Sequence, residues 1–288
     1  MPGLTAVTGA TGELGGRVAR RLADRGIAQR LLVRDPSRAP RLDGAEVTTI
    51  TGYGDRESVR SAIEGSETLF FVPGEEAPNR IEQHKTVVDA AVDAGVRRIV
   101  YVSFVAAKPD ATFTLARHHY ATEEHIRGKD VAHIFPRMSM YMDFIPFFAG
   151  PDGVIRGPAD DGRVGAVLRD DLADAIAVIL SDPEGHDGQS YDLTGPEAFT
   201  LTEIAAALSR ATGSKITFQD ETVEEAWESR RASTDAEDWE IEGWVSSYTS
   251  IATGELDIVT DDVERVTGHP PVSLEDWLRS REAEPSSP

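Results

Sequence analysis

The sequence has no cysteine, no apolar run approaching the roughly 20 residues of a membrane span, and few cations, 29 Lys and Arg against 50 Asp and Glu. Without cysteine there is no disulfide, no thiolate nucleophile and no zinc site built on sulfur, and the chain fits a reducing compartment. The N-terminus lacks a basic stretch followed by an apolar leader core, so a cytoplasmic protein is expected. A formal net charge of −21 repels phosphate backbones and anionic lipid. No Lys/Arg cluster is dense enough to reverse this locally. Neither nucleic acid nor a membrane surface is an expected partner, and the charge is read as serving solubility.

What is present is globular in kind: 40% hydrophobic and 27% charged residues over 288 positions, enough for one large α/β domain with a smaller lobe. Short β-rich segments at 4–7, 30–33, 47–50, 68–72, 99–103 and 133–135 alternate with helical patterns at 14–24, 57–63, 81–94 and 114–127. Strand then helix, repeated, predicts a parallel sheet covered on both faces with right-handed crossovers. The stretch "GPDGVIRGPADDG" at 150–162 reads as a loop into a substrate-side lobe. The organisation expected is therefore a dinucleotide-binding domain at 1–150 and a smaller lobe at 151–288, with a helix at 169–181 returning to the first. In "QSYDLTGPEAFTLTEIAAALSRATG" a strand and turn precede a helix capped by Thr200 or Thr202 and closed by Gly213. The Trp- and acid-rich segment 222–250 reads as a helical cover, and the tail from 281 as frayed.

The most informative segment is the first strand-to-helix turn, "LTAVTGATGELGGRVARRL". Gly9, Gly12 and Gly15 are spaced G-x-x-G-x-x-G between an apolar strand and an amphipathic helix. Glycine there permits unusual backbone angles, close approach of a ligand, and tight helix–strand packing. Helix N-terminal amides favour an anion, so Gly9, Ala10, Thr11, Gly12, Glu13, Leu14 and Gly15 are expected to cradle a dinucleotide pyrophosphate. At the end of the second strand Arg34 stands where an acid would bind ribose hydroxyls, and Arg can pair with a 2'-phosphate. NADP(H) is favoured over NAD(H); Asp35, the next residue, keeps NAD open.

These motifs, with the "YVSF" strand end, "HHYATEEHIRG" followed by "FPRMSMYMDF", and "YDLTGPEAFTLTEIAAAL", resemble the NmrA-like branch of the atypical short-chain dehydrogenases/reductases. The likeness spans about the first 215 residues. It implies an α/β, Rossmann-type doubly wound parallel sheet with a smaller C-terminal α/β substrate-side lobe, NADP(H), and either reduction of a quinone or carbonyl or redox sensing without turnover.

The departures from full short-chain reductase machinery matter. Aligning Glu123 with the glutamate that commonly follows Tyr-x-x-x-Lys puts Leu115 at the Tyr position and His119 at the Lys position, and neither catalytic residue is there. A simple ketone leaves a localised alkoxide that needs a strong proton donor, whereas a quinone leaves a delocalised anion that His or water can protonate. The missing pair therefore directs the reading toward quinones or conjugated carbonyls. His119 is assigned to line the nicotinamide and donate a hydrogen bond or proton, Ser103 to orient substrate or nicotinamide, and Tyr120 to act as a second donor. Tyr53, Phe71, Val72 and Pro73 are expected beside the adenosine or nicotinamide ribose. Met140, Tyr141, Phe144 and Phe147 are expected to form a slot for a flat ring, though each of these residues also reads as plain core or loop. His119 and Glu123 lie one turn apart on one helical face without a clear third ligand, so no metal is expected, and no G-x-S-x-G elbow appears.

The sequence thus predicts an NADPH-dependent oxidoreductase, monomeric or homodimeric, acting on a small aromatic or conjugated carbonyl substrate. A non-catalytic NADP(H)-sensing regulator acting through a protein partner, and an isomerase that keeps NADP bound, remain open.

Overall fold

The computed structural model describes residues 3–283. Its strands, in chain order, are β1 (Thr5–Val7), β2 (Gln29–Val33), β3 (Ala45–Thr49), β4 (Thr68–Phe71), β5 (Arg98–Tyr101), β6 (Ser103–Phe104), β7 (Ala132–Met138), β8 (Val154–Gly157), β9 (Arg163–Val164), β10 (Ser190–Leu193), β11 (Phe199–Thr200) and β12 (Thr217–Asp220). Its helices are α1 (Glu13–Asp24), α2 (Arg56–Ile63), α3 (Arg80–Asp93), α4 (Thr114–Arg127), α5 (Arg169–Ser181), α6 (Leu201–Thr212), α7 (Val223–Ser233), α8 (Asp238–Ala252), α9 (Asp262–Thr267) and α10 (Leu274–Ala283).

One sheet runs β10-β7-β5-β4-β1-β2-β3, with β6 pairing beside β7. The pairings among β1 to β5 and from β5 to β7 are parallel, with Val7 opposite Leu31 on one side and Phe70 on the other. That order, 3-2-1-4-5 and onward, is the doubly wound Rossmann arrangement, which places the carboxyl ends of β1 and β4 at the point where the winding reverses. β1, β4 and β5 are buried on both faces, as a parallel sheet between two helical layers requires. Their apolar side chains join those of α2 and α3 in a core that includes Leu69, Phe71, Ile99, Tyr101, Val87 and Ile63.

By internal contacts the chain falls into two units. The first runs to Pro109 and takes in His118–Met138 and Arg169–Asp192; it holds the large sheet. α5 belongs to it and packs on α1, where Arg21 pairs with Asp170 and Asp174. The second takes Asp110–Arg117, Ser139–Leu168 and the described residues from Leu193 on. In it α6 begins at a capping box between Thr200 and Glu203 and ends at Gly213, whose φ is 67°. Segment 222–250 is helical, as α7 and α8.

Two expectations need correction. The loop read at 150–162 contains β8, which pairs in parallel with β12 from about sixty residues further on. No local signal marks a strand whose partner is that distant. The tail expected to fray from residue 281 is helical through Ala283, and 284–288 lie outside the described residues. Among the described residues no helix is long and apolar enough to cross a membrane.

Candidate functional site

The turn between β1 and α1 is fixed by three different constraints. Gly9 has φ 63°, a conformation that costs any other residue, and a Cβ on it would meet the Val72 side chain at 3.0 Å. A Cβ on Gly15 would fall 2.3 Å from the carbonyl oxygen of Gly9, so glycine is what lets α1 press against the turn. Gly12 differs. Its φ of −94° and ψ of 173° suit any residue, and a Cβ would meet only the Gly9 oxygen, at 3.3 Å. The backbone angles do not demand glycine there, and the one constraint is that tight approach to a backbone oxygen. Gly12 caps α1 without a side chain, and Thr11, Gly12 and Glu13 are exposed; the Gly12 amide donates to the Gly9 carbonyl at 2.9 Å, so the amides a ligand could take are those of the first turn of α1, from Glu13 on. Ala10 and Leu14 are buried and anchor the turn, while the Glu13 carboxylate is held by Arg17 of the next turn.

β4 closes the turn from the other side. Thr8 Oγ1 accepts from the Val72 amide at 2.8 Å, and the Thr8 amide donates to the Phe70 carbonyl at 3.0 Å. The strand ends carrying Thr8 and Val72 are thereby latched together. Val72 and Pro73 stay partly exposed. Phe71, expected beside the cofactor, has its side chain fully buried, with the rings of Tyr53, His84 and Tyr101 5.1 to 5.6 Å away, so its ring belongs to the core. Tyr53 stands edge-on to Phe71 and donates its hydroxyl to the Val72 carbonyl at 3.0 Å; burial pushes that phenol up to about 12. At the end of β2, Arg34 is exposed and pairs with Glu75 at 2.6 Å. Asp35 is turned to other work, accepting from the amide and hydroxyl of Ser37, bonds that hold its carboxyl below the usual range.

α4 buries Ala116, His119, Thr122, Glu123 and Ile126, a stripe at helical spacing. Glu123 is spent structurally: Arg137 grips it with two nitrogens, both at 2.8 Å, and Arg127 adds a third contact at 2.8 Å. Its oxygens are occupied, and among the described residues no group of three His, Asp or Glu is placed to hold a metal. Tyr120 points off the buried stripe and is partly exposed.

His119 is nearly closed off, 2% exposed, with the Phe104 ring 6.0 Å away. Its Nδ1 lies 3.0 Å from the hydroxyl of Tyr101, which is 3.4 Å from Nδ1 of His84. His84 accepts from the Gly74 amide through Nε2 at 3.1 Å and reaches Thr122 Oγ1 through Nδ1 at 3.0 Å. Burial, reinforced by Arg80, pushes His84 down to about 2 and His119 well below its ordinary value, so both rings are neutral. Burial also pushes the Tyr101 phenol up. Sequence reasoning missed Tyr101 and His84: each reads as core within its own element. Ser103 is fully buried, and its Oγ finds no hydrogen-bond partner. An orphan of that kind at a strand end calls for a polar group not supplied by the chain.

In the second unit Met140 and Tyr141 are partly buried, while Phe144 and Phe147 are exposed with rings 6.0 Å apart.

The sequence pattern of the NmrA-like family matches residues 2–232. The chain belongs to the NmrA-like family. Quinone oxidoreductase 2 of Escherichia coli strain K12 is 34% identical over 222 residues, 75% of this chain and 77% of that protein. A (4-alkanoyl-5-oxo-2,5-dihydrofuran-3-yl)methyl phosphate reductase of Streptomyces griseus is 34% identical over 277 residues, 94% of this chain and 95% of that one. The crystal structure of the NADPH-dependent quinone oxidoreductase of Escherichia coli complexed with NADPH superposes with a TM-score of 0.87 at 29% identity, covering 96% of this chain and 99% of that one. The NmrA-like assignment thus rests on both sequence and fold.

Proposed function

We propose that this protein is an NAD(P)H-dependent oxidoreductase that uses NADPH to reduce a quinone or conjugated carbonyl. The observation that carries the cofactor is the turn from Gly9 to Gly15, where glycine lets α1 press against the end of β1 and leaves the start of that helix exposed and uncapped by any side chain. The residues fit a dinucleotide: the turn from Gly9 to Gly15 holds the pyrophosphate, Val72 and Pro73 line the ribose side, and Arg34 meets a 2'-phosphate in place of Glu75. Ser103 Oγ, buried without a partner, takes a polar group of the bound nicotinamide or substrate. Reductases among the similar proteins support the same class of activity.

When bound, the dihydronicotinamide supplies a hydride. The chain's own contribution is binding, exclusion of water and placement of a donor. His119 is neutral across the physiological range, so it serves as a hydrogen-bond donor to the oxyanion forming on the substrate rather than as an acid. A neutral donor of this strength suffices for a delocalised quinol anion, whose final proton comes from solvent. It does not suffice for the alkoxide of a simple ketone.

The test is NADPH consumption by the purified protein against quinones, conjugated enones and simple ketones, with NADH in parallel. Saturable turnover of quinones or enones, with simple ketones inert and NADPH preferred, is the expected result. Tight NADPH binding with no accelerated oxidation by any member of the panel would overturn the reading and favour a sensor.

A further inference from the structure

The buried chain Gly74–His84–Tyr101–His119 has a direction that its donors and acceptors dictate. The Gly74 amide can only donate, so Nε2 of His84 carries the lone pair. His84 is neutral, and its single ring proton therefore sits on Nδ1. Thr122 is ready to accept it, because the Thr122 hydroxyl proton is already given to the His118 carbonyl at 2.9 Å. Tyr101 cannot donate to a nitrogen that carries a proton. Thr122 Oγ1 also lies beside the Tyr101 hydroxyl but already takes the His84 proton, so the Tyr101 proton goes to Nδ1 of His119, 3.0 Å away. With Nδ1 accepting, the neutral His119 ring must carry its proton on Nε2.

We propose, on the reductase reading above, that Tyr101 and His84 are positioning residues that lock His119 as the Nε2–H tautomer, so that the ring always presents a donor and never a lone pair to the substrate oxygen. The other tautomer would set a lone pair against the developing oxyanion, repelling the charge it should stabilise. A helix histidine in this position has no intrinsic preference strong enough to guarantee the choice; the backbone amide of Gly74, which cannot reverse its role, sets it through two side chains. Burial of all three rings keeps water from offering Nδ1 an alternative partner.

The test reads the tautomer directly, by long-range proton–nitrogen correlation on protein labelled with nitrogen-15 histidine. The His119 signals are assigned by their loss in His119→Gln. Wild-type protein is expected to show a bare Nδ1 and a protonated Nε2 at His119. Tyr101→Phe, which keeps the ring and removes the hydroxyl, should mix the tautomers and lower kcat for a quinone at least tenfold, with NADPH affinity unchanged. An Nδ1–H tautomer in the wild type, which needs no variant to fold, would overturn the proposal, as would a Tyr101→Phe protein with unaltered tautomer and kcat. Failure of the wild type to reduce anything on the panel would sink the reductase reading, while the spectrum would still decide whether Tyr101 and His84 set the tautomer.

Discussion

Gly9, Gly12 and Gly15 share one motif and answer to different forces, so substitution separates them. Gly15→Ala drives a methyl to 2.3 Å from a backbone oxygen, which no rotamer can relieve. It should lower stability by about 1–3 kcal/mol, the range for overpacking, and disturb the turn as well. Gly12→Ala has an ordinary φ and one tight contact, 3.3 Å to the Gly9 oxygen, that a shift of a few tenths of an ångström relieves, so the melting temperature should fall much less than in Gly15→Ala. Its NADPH dissociation constant should nonetheless rise about tenfold, the equivalent of roughly 1.4 kcal/mol lost where the ligand approaches the backbone. Thermal melts and fluorescence titration of the two variants check this; equal losses of stability would mean that Gly12 serves the fold alone. The turn was legible in the sequence because its spacing is local and glycine has few substitutes. The direction of Phe71 was not. A strand buried on both faces shows no alternation, so nothing in "TLFF" says which ring meets the core and which strand end meets a ligand.

At the scale of the element, α4 was legible as a helix and its register put His119 and Glu123 on one face. What the sequence withheld was what they touch. Tyr101 lies on β5, His84 on α3 and Arg137 on β7, and they converge on α4 only through the winding of the sheet. Glu123 shows the consequence: read from spacing it invites a metal role, and in place it is a tie between α4 and β7. Its side chain is fully buried, and removing it leaves Arg137 with only the longer contact to Asp192, at 3.8 Å, as counter-charge. Glu123→Ala should therefore cost about 3 kcal/mol, the lower end for breaking a buried pair because both arginines keep partial contact with water. Urea denaturation measures this. Glu123→Ala within about 0.5 kcal/mol of wild type would show that the guanidiniums regain their solvation elsewhere. The same dependence on distant partners explains β8, whose ladder with β12 no local pattern reveals.

For the whole molecule, the buried histidines set how stability responds to acid. The folded protein holds His84 down to about 2 and His119 well below its ordinary value, whereas in the unfolded chain each titrates near 6.5. Above that pH neither state binds a proton at these sites and they contribute nothing to the pH dependence. Below it the unfolded chain takes up protons that the folded one refuses, so stability falls as pH drops, by about 1.4 kcal/mol per pH unit for each histidine. Carboxylates that are hydrogen-bonded in the fold, Asp35, Asp55, Glu57 and Glu203 among them, have depressed values and add to the loss from about pH 5 downward, as the unfolded chain begins to protonate them. The window from about pH 6.5 down to 5 is thus governed mainly by histidine. Urea midpoints taken at half-unit steps through it should decline steadily, with a flat region above pH 7. Replacing His84 by Gln, which keeps an acceptor for the Gly74 amide, should lower stability at pH 7.5 yet reduce the slope by about 1.4 kcal/mol per pH unit. An unchanged slope would mean that His84 is protonated in the folded protein, and with it the directed chain from Gly74 to His119 would fail.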